Sequence, residues 1–306
     1  MPITYMTKLN LTPPPFLKPG DCIGIVAPAR KISAEELNPA IRQLESWGLK
    51  VKLGKHIYSI DNQFAGTDED RLADMQQMLD GEEVNAILSA RGGYGSVRII
   101  DKLDFTRFSQ KPKWITGFSD VTVFHNHIQT QFDTQTLHCT MPINFSKDAE
   151  STELLRKALF GELNEYTLPA YSLNRQGAGK GVLCGGNLSL LYALAATPSD
   201  IDTKGKILFL EDLDEYLYHI DRMMMQLKRS GKLATLKGLV IGDFSGMKDN
   251  AIPFGKTAEQ IILDAVKEYS YPVCFGFPAG HGVKNFPLYL GRNYELIVND
   301  KNILMR

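Results

Sequence analysis

Apolar and polar positions run in two alternating rhythms along the first half of the chain. Short apolar runs at 21–27 (DCIGIVA), 50–53 (KVKL) and 84–90 (VNAILSA) are bounded by turn residues and predict buried strands. Between them, apolar positions recur at helical spacing. Ser33 followed by Glu36 marks a helix start, with Ile41, Leu44 and Trp47 along the helix and Gly48 as its stop. A second amphipathic helix is predicted over 68–79, with Leu72, Met75 and Leu79 on one face. Strand alternating with helix predicts a parallel, doubly wound α/β sheet, which holds ligands beyond the carboxyl ends of its strands. Ala29, Arg91 and Ser119 all fall on turns of that kind.

After a helix predicted over 152–160, residues 166–181 are polar and glycine-rich and read as a linker. Short strands then mix with helices, which predicts a smaller mixed α/β domain. The expected division is therefore 1–165, a linker at 166–181, and a C-terminal domain at 182–306.

Length and charge narrow the classes of function. A chain of 306 residues has ample length for a sizeable core in one large domain or two. Its 34 basic and 35 acidic residues leave a formal net charge of −1, so it carries no electrostatic footprint for nucleic acid or an anionic membrane. Cys22, Cys139, Cys184 and Cys274 are far apart and form neither zinc-site spacing nor a disulfide framework. The opening residues have no leader pattern and no apolar run is long enough to cross a bilayer, so a soluble protein of a reducing cytoplasm is expected.

Candidate chemistry centres on residues 113–124 (KWITGFSDVTVF), where an apolar run ends in a Gly-x-Ser turn and a helical segment follows. A serine on such a turn stands clear of the backbone beside the amides that open the helix, as a nucleophile requires. Taken alone, this stretch suits a helix cap better, because Val121 stands where a Gly-x-Ser-x-Gly motif has its second glycine. The glycine-rich turn of Arg91, Gly92, Gly93, Tyr94 and Gly95 brings amides close to an anion or simply makes a tight turn. It lacks the spacing of a nucleotide-binding loop.

A nucleophilic serine needs a base, and the base an acid. Among six histidines, His281 follows an apolar run and lies between Gly280 and Gly282, which leave its ring accessible. His125 and His127 lie on the helix after Ser119, His138 reads as strand or core, His56 as exposed, and His219 opens a helix near acidic residues. The apolar run 206–210 ends in four carboxylates, of which Glu211 comes first and is expected to point into a cleft. No His or Cys stands near them at metal-ligand spacing, so no metal site is expected.

Taken together, the segments at 25–28 (IVAP), 91–95 (RGGYG), 117–120 (GFSD), 185–188 (GGNL), 210–212 (LED) and 278–282 (PAGHG) resemble the LD-carboxypeptidases, the muramoyltetrapeptide carboxypeptidases among serine peptidases. The resemblance spans nearly the whole chain, in order and at compatible spacing. It implies a flavodoxin-like N-terminal domain carrying Ser119 as nucleophile, and a smaller C-terminal domain supplying Glu211 and His281. It also implies acyl transfer without a cofactor, on cytoplasmic murein tetrapeptides that lose terminal D-alanine during cell-wall recycling, and a homodimer. With that mechanism, the backbone amides of Asp120 and of Gly92 or Gly93 become candidates for the oxyanion hole. Arg91 and Arg30 become candidates for binding the substrate's free carboxylate. A second reading is a microcin C immunity-type peptidase acting on aminoacyl-nucleotide conjugates, which needs an aromatic shelf for the base. A third is a muropeptide-binding protein without catalysis.

Overall fold

The computed structural model describes residues 11–306; the opening residues 1–10, part of the stretch read for a leader, lie outside the described residues. The first five strands are β1 (Cys22–Val26), β2 (Lys50–Leu53), β3 (Val84–Ser89), β4 (Trp114–Gly117) and β5 (Thr136–His138). They pair in parallel in the order β5-β4-β3-β1-β2, the flavodoxin-like winding. Helices α1 (Ala34–Ser46), α2 (Asp68–Asp80), α3 (Thr106–Gln110), α4 (Thr122–Phe132) and α5 (Ala149–Leu159) belong to the same half of the chain. Ser33 caps α1 in a reciprocal capping box with Glu36, as the sequence pattern predicts.

The second sheet contains β6 (Tyr166–Pro169), β7 (Gly177–Asn187), β8 (Ile207–Leu213), β9 (Gly238–Ser245) and β10 (Val273–Cys274). Helices α6 (Leu188–Ala193), α7 (Leu217–Arg229) and α8 (Ala258–Ala265) alternate with its parallel strands. Strands β11 (Leu288–Leu290), β12 (Asn293–Val298) and β13 (Asn302–Met305) complete the set. The order is β10-β9-β8-β7-β12-β13-β6, parallel from β10 to β7 and antiparallel beyond, so this half is mixed α/β.

Two features differ from the sequence reading. Residues 166–181 were expected as a linker, yet β6 and the first part of β7 are sheet strands. Glycine here serves close approach rather than flexibility: a β-carbon on Gly179 would run into the Lys237 carbonyl of the adjoining backbone. In addition, β11 from the C-terminal region closes the first sheet by pairing antiparallel with β5, Leu288 opposite His138.

The two sheets share a core. Ile23, Ile25 and Trp114 of the first and Phe209, Val240 and Leu296 of the second fall in one continuous apolar cluster. All four cysteines are buried and unpaired. Among the described residues no helix is long and apolar enough to cross a membrane.

Candidate active site

A cleft of about 350 Å³ opens at the carboxyl ends of the first sheet's strands, where the winding reverses direction between β1 and β3. The turns after β1, β3 and β4 wall one side, and the end of β8 and the His281 loop wall the other.

Ser119 follows β4 by two residues and holds φ at 62°, in the left-handed region that a side chain seldom adopts. A strained position of this sort costs about 1–3 kcal/mol and persists because its surroundings dictate it. Ser119 is the first residue of a short 3₁₀ turn, Ser119–Val121, whose N-cap is Phe118 and which has no side-chain cap. Its Oγ lies 3.1 Å from His281 Nε2. On the far side of the ring, His281 Nδ1 lies 2.6 Å from Glu211 Oε2. A carboxylate only accepts, so Nδ1 carries the proton and Nε2 of the neutral ring is left to accept from the serine hydroxyl. Burial disfavours a charged His281, but the charge and hydrogen bond of Glu211 outweigh it and hold the pKa above its ordinary value.

Glu211 was expected just past a strand end. It lies within β8, fully buried, where pairing with β9 shifts register between Leu210 and Asp212. Side chains alternate along a strand, so Glu211 shares the face of Ile207 and Phe209, which belong to the apolar cluster common to both sheets, and it reaches the histidine from that face. Asp212 is also buried and lines the cleft. It accepts from Asn187 Nδ2 at 3.0 Å and from the Ser189 and Leu213 amides at 2.9 Å each. Burial, and then the charge of Glu211, push its pKa up to about 7.

The glycine-rich turn touches the serine. A β-carbon on Gly92 would stand 2.9 Å from Ser119 Cβ and 3.0 Å from its Oγ, so only glycine permits this approach. Among the described residues, the N–H groups of Gly92 and Gly93 enter none of the backbone hydrogen bonds of the turns and loops. Two buried side chains, neither of them given a role by the sequence, fix the turn. Asp120 Oδ2 accepts from the Ser96 amide at 2.8 Å. Arg71, 2% exposed, donates to the Pro28 carbonyl at 2.7 Å and the Gly95 carbonyl at 3.1 Å. Arg71 reads in sequence as one more polar position on an amphipathic helix, so no local signal marks it.

Both candidate arginines line the cleft, in different states. Arg91 donates to the Lys31 carbonyl at 3.1 Å and lies 3.8 Å from Glu36 Oε1. Arg30 is exposed, its stem lies over Gly93, and among the described residues it has no carboxylate partner.

The remaining histidines lie elsewhere. His125 and His138 are fully buried, and burial depresses them to about 4 and about 3, so both are neutral near pH 7. His127 pairs with Ser199 and His219 with Glu215, while His56, expected as exposed, is half-buried beside Asp70. Among the described residues no group of His, Cys, Asp and Glu is arranged to hold a metal.

Residues 23–139 match the LD-carboxypeptidase N-terminal domain and residues 180–296 the LD-carboxypeptidase C-terminal domain. The chain belongs to the LD-carboxypeptidase family. As a member it is an enzyme, a carboxypeptidase. It is 35% identical over 303 residues to the probable murein peptide carboxypeptidase of Bacillus subtilis, covering 95% of this chain and 93% of that one. With the murein tetrapeptide carboxypeptidase of Pseudomonas aeruginosa the identity is 28%, over 86% and 89% of the two chains. The crystal structure of muramoyltetrapeptide carboxypeptidase from Oxalobacter formigenes superposes with a TM-score of 0.84 at 28% identity, covering 93% of this chain and 97% of that one. The microcin C7 self-immunity protein MccF shares the fold, with a TM-score of 0.85 at 20% identity over 96% and 98% of the chains.

Proposed function

We propose that this family member is a serine carboxypeptidase that removes the terminal D-alanine of murein tetrapeptides, in the cytoplasm and in the service of cell-wall recycling. The observation that carries the reading is the run of contacts from Ser119 Oγ to His281 Nε2 at 3.1 Å and from His281 Nδ1 to Glu211 Oε2 at 2.6 Å. Ser119 attacks the carbonyl of the L,D-peptide bond while His281 takes its proton. The tetrahedral oxyanion is met by the amides of Gly92 or Gly93 and of Asp120. His281 then gives the proton to the departing amine, and water repeats the sequence on the acyl-enzyme. Glu211 keeps the imidazole in the accepting tautomer and stabilises its cation.

Arg30 receives the free carboxylate of the leaving residue, since Arg91 is already engaged by Lys31 and Glu36. The murein substrate class rests on the names of the relatives in Bacillus and Pseudomonas. Among the described residues, Phe118 is the one Phe, Tyr or Trp lining the cleft, and it is buried against His281 rather than presented as a shelf for a nucleobase. Parallel incubation with a murein tetrapeptide and an aminoacyl-nucleotide conjugate tests the substrate. Loss of one alanine from the first alone is expected. Cleavage of the conjugate alone would replace the murein reading by the immunity-type one.

A further inference from the structure

The histidine loop leaves β10 of the second sheet and reaches over to Ser119 on the first, with Gly280 and Gly282 on either side of His281. Its flanks are anchored: the Phe277 amide donates to the Ile241 carbonyl, the Phe286 amide to the Pro278 carbonyl at 2.7 Å, and the Asn285 amide to Ser151 Oγ at 2.8 Å. The stretch 281–284 between them has no backbone–backbone hydrogen bond. What holds it comes from the segment that leads into α5. Lys147 Nζ donates to the Gly282 carbonyl at 2.8 Å and to the His281 carbonyl at 3.3 Å. Among the described residues these are the only hydrogen bonds to the backbone of 281–284. The neighbouring Lys284–Glu150 pair, 2.6 Å and exposed on both sides, contributes little by comparison.

We propose that Lys147 is a positioning residue for the reaction, its ammonium fixing the loop that presents His281 to Ser119. The inference rests on the reading of His281 as the base. Glu211 holds Nδ1 of the imidazole, Phe118 packs against the ring and the Gly280 amide donates to Asn285 Oδ1 at 3.0 Å, but the ring's distance to Ser119 also depends on where the backbone of residues 281–284 sits. Lys147 fixes that backbone through the His281 and Gly282 carbonyls. It is exposed and does not line the cleft, so its removal leaves both the core and the substrate's contacts in place.

The test compares wild type with Lys147→Met, Lys147→Arg and His281→Ala. The readouts are kcat and KM for alanine release, the rate at which a fluorophosphonate labels Ser119, and the melting temperature. Displacing a reacting group by about 1 Å costs on the order of 10²-fold, so Lys147→Met is expected to lower kcat roughly 10- to 100-fold, with labelling falling in parallel. KM and melting temperature stay near wild type, and Lys147→Arg recovers most of the loss. An unchanged kcat in Lys147→Met, or a loss accompanied by a lower melting temperature and a raised KM, overturns the positioning role alone. Full activity in His281→Ala overturns the base assignment, and this inference with it.

Discussion

His281 Nε2 lies 3.1 Å from Ser119 Oγ although the two residues are 162 positions apart and follow strands of different sheets, β10 and β4. The shared apolar cluster brings the sheets together, and contacts at their seam set the finer distance. One is the 3.1 Å hydrogen bond from the Asn187 amide, at the end of β7, to Thr122 Oγ1 at the start of α4. The serine–histidine contact and the left-handed backbone at Ser119 are therefore both set by packing between the two sheets.

The first prediction concerns the approach of Gly92 to Ser119. Gly92→Ala places a methyl within 3.0 Å of the serine side chain and displaces a candidate oxyanion donor. Loss of one such donor costs about 10²–10³ in kcat, and that range is expected from steady-state alanine release. Because Gly92 lies on a half-buried turn, chemical denaturation should show a far smaller effect on stability.

A second prediction follows from the raised pKa of His281. The base must be neutral, so kcat/KM should rise with pH along an acid limb whose midpoint lies above the ordinary histidine value of about 6.5. Glu211→Gln removes the main cause of the shift and should move that limb to lower pH while reducing kcat. Stability runs the other way. The charged pair stabilises the fold below the unfolded-state pKa, and this contribution disappears as pH rises through the higher folded value. A limb that stays put in Glu211→Gln would contradict the pairing.

Arg30 and Arg91 should separate in kinetics. A charge-assisted hydrogen bond to a carboxylate is worth about 1.5–3 kcal/mol, so Arg30→Met is expected to lower kcat/KM by roughly 10- to 100-fold. The loss should vanish for a substrate whose terminal carboxylate is amidated. Arg91→Met should cost less, since its guanidinium is already committed to Lys31 and Glu36.

Asp120 links the serine turn to the glycine-rich turn through the Ser96 amide. Asp120→Ala leaves that buried donor without a partner, at an expected cost of about 1–3 kcal/mol in urea unfolding. Activity should fall as well, because the turn bearing Gly92 loses one of its ties.

These residues also mark what the sequence could reveal. The alternation of strand and helix, the α1 capping box and the turn positions of Arg30, Arg91 and Ser119 were legible because periodicity and turn chemistry are local. Glu211 and His281 were marked as candidates by their own surroundings, the end of an apolar run and a pair of flanking glycines, and took their roles from the motifs taken together. Residues 166–181 misled because glycine marks close backbone approach as well as flexibility. The antiparallel seat of β11, the meeting of Glu211 with His281, and the ties made by Arg71 and Lys147 are long-range relations. Their partners stand tens of residues away or more, and nothing in the flanking sequence announces them.

The most direct test of the central claim is turnover of a murein tetrapeptide by Ser119→Ala, with folding verified by its circular dichroism spectrum. Removing the nucleophile of a working triad costs on the order of 10⁶ in kcat, so alanine release should drop to background. Alanine release at the wild-type rate by a folded Ser119→Ala protein would contradict the account and leave the strained serine without a catalytic role.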